Sequence, residues 1–233
     1  MAQDIETSES ETQTFYDRIA DVHNLAMKIN GYRTSVANYL QSLDLTFDKS
    51  SLVLDAGSGT GIITLGFHSA GFRPKKTIAL DLSINSLKIA REQFEQEEQA
   101  DAENICHVQG NILQLPFANE TFDLVLTCGV LEYVSLEEGL SEFARVLKTG
   151  AKLVLIPVKP SIVGSVLEIL YNFKTHSIEE TEEIAARWFE IVGNYEFPIT
   201  EPIGWSKMIF LLEKKGKIHR PLRDIETQRK DKI

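Results

Sequence analysis

Cysteine is nearly absent from this chain: Cys106 and Cys128 are the only two in 233 residues. That is too few for a disulfide framework or a structural zinc site, and both are read as small buried hydrophobes. Long apolar runs are missing as well. Nothing approaches the ~18 consecutive apolar residues that would cross a bilayer. The polar, acidic start MAQDIETSESETQ has neither the basic nor the apolar region of a signal peptide. A soluble, cytoplasmic protein without membrane association is therefore expected. Metal ligation is not expected, because none of His23, His68, His107, His176 and His219 stands at a metal-like spacing from another ligand type. Positive charge is also short. A formal net charge of -10 argues against a surface devoted to phosphate backbones, so a nucleic-acid partner is not expected. The exception is the stretch from Lys214 to Ile233, which holds eight Lys or Arg against three Asp or Glu and reads as a solvated basic tail. No internal repeat and no linker divides the chain.

What is present is enough apolar material, 43% of residues, to bury one sizeable core. Residues 1–13 carry no apolar pattern and are expected to be disordered. Phe15, Ile19, Val22, Ala26 and Ile29 recur at helical spacing up to the stop signal Asn30-Gly31. Val36, Tyr39, Leu40 and Leu43 give a second helix its apolar face, so residues 14–45 form a helical cap. The period then changes. Short apolar runs at Leu52–Leu54, Thr77–Leu80, Ile105–Val108, Leu124–Thr127 and Leu153–Ile156 alternate with amphipathic helices, as in repeated βα units. Runs that are apolar on both faces belong in a parallel sheet covered by helices on each side. Ser83 opens one helix. Ser135 with Glu138 caps another that closes at Gly150, and Ser177 with Glu180 caps a third that runs through Ala185, Trp188 and Ile191 to Gly193. Acidic clusters at 92–103 and 179–183 are solvated helix faces. Ser206–Leu212 reads as a last strand with a partner near Tyr195–Ile199. The domain is expected to span 14–213, with residues 158–193 as an insertion after the fifth βα strand and 214–233 as the tail.

The most informative segment is Leu52-Val53-Leu54-Asp55-Ala56-Gly57-Ser58-Gly59-Thr60-Gly61, followed by the apolar helix Ile62, Ile63, Leu65, Phe67. Glycines in a strand-to-helix turn let a ligand approach the backbone and leave helix N-terminal amides for a polar or anionic group. The spacing D-x-G-x-G-x-G differs from the G-x-G-x-x-G of dinucleotide turns. The second strand ends at Asp81, a carboxylate about twenty residues beyond the last glycine, where it can accept both hydroxyls of an adenosine ribose. The pairing points to a nucleoside ligand without naming it, and a nicotinamide nucleotide would use the same geometry.

VLDAGSGTG resembles the first motif of the class I S-adenosylmethionine-dependent methyltransferases, and later landmarks follow that family's order over residues 50–157. Leu115-Pro116-Phe117 and Phe122-Asp123 resemble its LPF and FD landmarks, and Arg145-Val146-Leu147-Lys148-Thr149-Gly150 resembles its helix end before the fifth strand. The resemblance implies a Rossmann-like, doubly wound, mostly parallel seven-stranded α/β sheet with a C-terminal antiparallel hairpin strand. It also implies that S-adenosyl-L-methionine is bound and S-adenosyl-L-homocysteine released. By the same resemblance Asp55, Gly57, Ser58, Gly59, Gly61, Asp81, Leu82, Asn111, Ile112 and Cys128 would bind the cofactor, with Tyr16 closing over it. Many relatives carry Asp at the position of Asn111, but an Asn carbonyl can still accept from the adenine amine. No Asn-Pro-Pro-Tyr-type motif follows the fourth strand, which argues against DNA-adenine and related amide-nitrogen methylation.

Methyl transfer from a sulfonium is an in-line displacement that needs orientation and water exclusion first, and a base only if the acceptor must lose a proton. Glu132 and Tyr133, in the loop after the fourth strand, are the candidate catalytic groups, though each reads more readily as a packing or structural hydrogen-bonding side chain. Tyr171, Phe173, Trp188 and Phe189 in the insertion suggest an apolar or aromatic acceptor site. The expected function is methylation of a small-molecule acceptor through O, N, S or C. Methylation of protein or RNA, and a catalytically silent cofactor-binding subunit, stand as alternatives. Together the cap and the insertion, including Tyr16, Tyr171 and Trp188, are expected to cover the methyl group.

Overall fold

The computed structural model describes residues 31–45, 48–97 and 102–216. Tyr16, the first predicted helix and nearly all of the basic tail lie outside them. The described elements are α1 (Tyr32–Ser42), β1 (Leu52–Ala56), α2 (Ile62–Ser69), β2 (Lys76–Asp81), α3 (Ile84–Gln96), β3 (Ile105–Gln109), β4 (Phe122–Cys128), α4 (Leu136–Val146), β5 (Leu147–Ile156), α5 (Ile162–Tyr171), α6 (Ile178–Ala185), β6 (Phe189–Glu196) and β7 (Met208–Lys214).

The strands form one sheet in the order β3-β2-β1-β4-β5-β7-β6. The first five are mutually parallel, and β7 runs antiparallel to both β5 and β6. This is the mostly parallel, seven-stranded Rossmann-like sheet that the βα alternation and the family motif imply. Successive side chains on a strand point to opposite faces, and both faces here are covered. Leu54, Val125, Leu153 and Leu155 join a cluster with α4 and α6, while Val53, Leu124, Leu126, Val154 and Ile156 join one with α1 and α2. Local caps fall where the serines predict: the hydroxyls of Ser83, Ser135 and Ser177 accept the N–H groups of Ser86, Glu138 and Glu180.

Two predicted helix ends are overturned. The helix opened by Ser177 stops at Ala185 instead of running to Gly193, and Ile191 lies in β6 opposite Leu212 of β7. Phe189 and Ile191 lie on one face of a strand, opposite Lys214 and Leu212 and ahead of a register shift at Gly193, and pairing with an apolar neighbour outweighs the helical spacing of Ala185, Trp188 and Ile191. Likewise α4 ends at Val146, not Gly150. Leu147 already pairs with Phe122, and Gly150 stands inside β5 at φ +76° near a register shift.

The landmark residues act as girders of the sheet. Asp123 accepts from the Leu52 N–H at 2.9 Å and from Lys148 Nζ at 2.6 Å, tying the starts of β1, β4 and β5 together. Arg145 donates to the carbonyls of Leu115 (3.0 Å) and Phe117 (2.8 Å) and pairs with Glu142, whose Oε1 accepts the Leu115 N–H at 2.7 Å. This lattice of charge-assisted bonds holds the crossing from β3 to β4 against α4.

Candidate active site

Strand order reverses between β1 and β4, the place where open parallel sheets leave a crevice beyond their carboxyl ends. Register carries the predicted residues to that edge: Ala56 pairs with Leu80, Asp81 with Gln109, and Cys128 with Ile156. Gly57, Asp81, Leu82, Asn111 and Cys128 therefore follow or end adjacent strands at one rim.

The turn after β1 is built from left-handed glycines. Gly57, Gly59 and Gly61 have φ of +74°, +52° and +88°. The Gly57 and Ser58 N–H groups both donate to the Leu80 carbonyl, at 2.8 and 2.9 Å. The Asp81 carboxylate accepts from Gly59 N at 2.7 Å and from Ser83 N at 2.9 Å, so it braces the loop as well as facing the rim. An ionised carboxylate offers about four acceptor positions, which leaves these bonds compatible with ribose hydroxyls.

The glycines are not equivalent. A Cβ on Gly61 would lie 2.5 Å from Cζ of Phe94, a ring 1% exposed, whereas a Cβ on Gly59 would meet nothing within 4 Å. Gly61 is required by packing, and Gly59 borders open space a ligand can enter. Gly61→Ala should lower stability by about 2–4 kcal/mol, from left-handed strain plus overpacking. Gly59→Ala should cost only about 1–2 kcal/mol of strain. Urea unfolding of both variants checks this, and equal losses would contradict the division of roles.

Asp55 lies fully buried beneath the loop. Its Oδ2 accepts from Thr64 N at 3.1 Å and Thr64 Oγ1 at 2.6 Å, while Oδ1 has no hydrogen-bond partner among the described residues. Burial pushes its pKa up to about 7, against the Thr64 hydroxyl bond, and the nearby Asp81 charge pushes the same way. Ser58 Oγ is likewise buried with no hydrogen-bond partner among the described residues. Acceptor atoms left unsatisfied under a glycine cradle are what a ligand with a donor or cationic end would complete.

Asn111 turns its side-chain carbonyl to the Leu113 N–H at 2.9 Å, and Ile112 is 6% exposed in the core, so their backbone follows β3 across the rim. Cys128 is half-buried, and burial pushes its thiol pKa up. Past it, the turn at Leu131–Tyr133 carries both catalytic candidates. Glu132 is 5% exposed and accepts the Val158 N–H. The ring of Tyr133 packs edge-on against Phe173 at 5.3 Å, joining this loop to the segment after α5.

One expected cover residue is misplaced. Trp188 precedes Phe189, which pairs with Lys214 at the far end of β7, so it sits at the amino rim, opposite the site. The antiparallel β6-β7 pairing, invisible in a helical reading, puts it there. Phe189 is fully buried core. Tyr171 does reach the site side, where burial and the neighbouring Tyr32 raise its pKa. Sequence reasoning also passed over Lys207, just before β7, since a lysine beside an apolar strand reads as solvated. It is 7% exposed, and a Cβ on Gly129 would lie 2.7 Å from its Nζ.

Fold and rim together define a Rossmann-like α/β protein whose glycine turn differs from the dinucleotide type. The methyltransferase domain family matches residues 54–155. An uncharacterized protein of Methanocaldococcus jannaschii, MJ0638, is 36% identical over 173 residues, covering 69% of this chain and 68% of that protein. The demethylmenaquinone methyltransferase of Lactiplantibacillus plantarum is 31% identical over 142 residues, covering 60% of this chain and 56% of that enzyme. In fold, the chain resembles a geranyl diphosphate methyltransferase solved with geranyl diphosphate and sinefungin, with a TM-score of 0.62, 16% identity and 76% of each chain covered. The chain belongs to the class I S-adenosylmethionine-dependent methyltransferases.

Proposed function

We propose that the protein transfers a methyl group from S-adenosylmethionine to a small-molecule acceptor with an apolar portion, the acceptor lying between the turn at 129–133 and the side chains of Tyr32, Tyr171 and Lys207. S-Adenosylmethionine supplies an electrophilic methyl: the acceptor's electron pair bonds to that carbon, and the carbon–sulfur pair stays on sulfur as S-adenosylhomocysteine. Asp81 would hold the ribose, the 109–112 stretch the adenine, and the loop 57–61 above Asp55 the amino-acid end. The chain's own contribution is to orient and to exclude water.

The observation that carries the acceptor reading is α5, which follows β5 at the site side of the sheet. It presents Ile162, Val166, Ile169 and Leu170 to solvent at 88%, 59%, 86% and 62% exposure. A contiguous apolar surface of this kind marks a binding surface more often than an ordinary exterior. Relatives named as demethylmenaquinone methyltransferases support an acceptor with an unsaturated ring. The chain spans 56% and 46% of the length of two of them, so the acceptor is carried over from them by analogy.

The test uses the full chain, labelled S-adenosylmethionine and a cell extract split into small-molecule and macromolecular fractions. Label should enter the fraction extractable into organic solvent. Label confined to protein or RNA would overturn the small-molecule reading. Tight S-adenosylhomocysteine binding with no label anywhere would mark a silent subunit.

A further inference from the structure

The rim beyond β4 holds an ammonium without an anion. Lys207, just before β7, is 7% exposed. Its Nζ forms no hydrogen bond or ion pair among the described residues, and it is not one of the polar atoms sealed from solvent, so the tip of this buried side chain is open to a ligand. The groups around it do not neutralise it. Glu132 spends Oε1 on the Val158 N–H, and its Oε2 is sealed. Burial keeps the Cys128 thiol neutral by pushing its pKa up. The Tyr32 hydroxyl is engaged with Ser206 Oγ at 3.3 Å. Burial pulls the Lys207 pKa down, Cys128, Glu132 and Tyr32 push it up, and the net direction is up, so the side chain is charged at neutral pH. A cation held this way favours an anionic ligand.

Contacts along the rim join this ammonium to the glycine turn. A Cβ on Gly57 would lie 2.3 Å from the Val130 side chain, so the turn after β4 packs directly on the turn after β1. A Cβ on Gly129 would lie 2.7 Å from Lys207 Nζ, so the ammonium fills the space a side chain there would take. Between the two, the Cys128 thiol feels the charges of Lys207, Glu132 and Asp55. The rim is therefore acidic on the side of β1 and β2, at Asp55 and Asp81, and cationic on the side of β7. An α-amino acid end has the matching polarity, its ammonium suited to the acidic side and its carboxylate to Lys207. A nucleoside that ends in an amine leaves Lys207 unmatched. We propose that Lys207 receives the carboxylate of the cofactor's amino-acid end, and so makes the site select S-adenosylmethionine and S-adenosylhomocysteine over nucleosides that lack the carboxyl. This rests on the reading that S-adenosylmethionine binds at the glycine loop. Lys207 lies beyond residues 54–155, which the methyltransferase domain family matches, so the matched motifs do not include it. The antiparallel pairing of β7 with β5 and the bridge from Val158 to Lys207 bring it to the rim.

The probes are S-adenosylhomocysteine and 5′-(3-aminopropylthio)-5′-deoxyadenosine, the same molecule without its carboxyl, each titrated calorimetrically into the full chain. The wild-type protein should bind S-adenosylhomocysteine about tenfold or more tightly than the carboxyl-free analogue, as expected for a charge-assisted bond. Lys207→Met should erase that preference by weakening S-adenosylhomocysteine alone. Its affinity for the analogue should not fall, which also reports that the variant is folded. Lys207→Gln, a second neutral variant, should behave in the same way, and Lys207→Arg should keep part of the preference. Equal wild-type affinities for the two ligands, a full preference in either neutral variant, or an equal loss of both ligands would overturn the assignment. The wild type separates the two readings: S-adenosylhomocysteine bound without preference sinks the role of Lys207 alone, and no binding at all sinks the cofactor reading and this role with it.

Discussion

Asp81→Ala should weaken S-adenosylhomocysteine binding by roughly 10- to 150-fold, equivalent to about 1.5–3 kcal/mol for charge-assisted hydrogen bonds. Two losses add. The ribose acceptors go, and so does the carboxylate that accepts from Gly59 N at 2.7 Å and Ser83 N at 2.9 Å, which holds the loop in its cradle shape. The fold should persist, because Ser83 still caps α3 with its own hydroxyl and β2 remains paired on both sides. Gly59→Val should also lose binding, since its side chain would occupy the open space above the loop. Calorimetric titration with circular dichroism as the folding control checks both. Unchanged affinity in the two variants would refute the assignment of this rim to the cofactor.

The stability of the ligand-free protein should fall as pH rises across neutrality, and Asp55 should be responsible. Its carboxyl moves from its ordinary value of 3.8 to about 7 in the folded protein because it is fully buried. The folded state therefore binds the extra proton between those values, and stability declines as pH rises from the unfolded pKa through the folded one. Moving the carboxyl that far corresponds to on the order of 4 kcal/mol, the loss being complete a little above pH 7. Asp55→Asn cannot ionise. Its amide oxygen can still accept from Thr64, and its NH2 group stands where Oδ1 finds no partner. Urea midpoints measured from about pH 5 to 8 should slope downward in the wild type relative to Asp55→Asn. Parallel curves would show that Asp55 ionises normally, and the loop's buried acceptor would then carry a full charge.

Most of the rim proposed for the cofactor was legible in the sequence because it is local. Asp55 to Gly61 lie on one turn, and glycines at alternate positions there have few other uses. Asp81 stands where a strand of obvious apolar character ends. Ser83, Ser135 and Ser177 cap helices through residues three positions on, a contact that needs no tertiary information. The landmarks Phe122-Asp123 and Leu115-Pro116-Phe117 were recognisable as strings, but their purpose was not. Only the fold shows Asp123 holding β1 and β5 and Arg145 holding the crossing.

The acceptor side was far less legible, and the errors share a cause. Ala185, Trp188 and Ile191 fit a helix continued from Ser177, and only the pairing of β7 with β6 shows that Ile191 lies in a strand instead. That decision moves Trp188 to the amino rim and leaves the site side to Tyr32, Tyr171 and Lys207. Sequence by itself determined the alternating sheet, the glycine turn and the family, because these depend on periodicity and on contiguous residues. Tertiary structure alone decided that Lys207 is buried and stands near Glu132, 75 positions earlier in the chain. A lysine's burial depends on which distant elements close over it, and no local pattern records that.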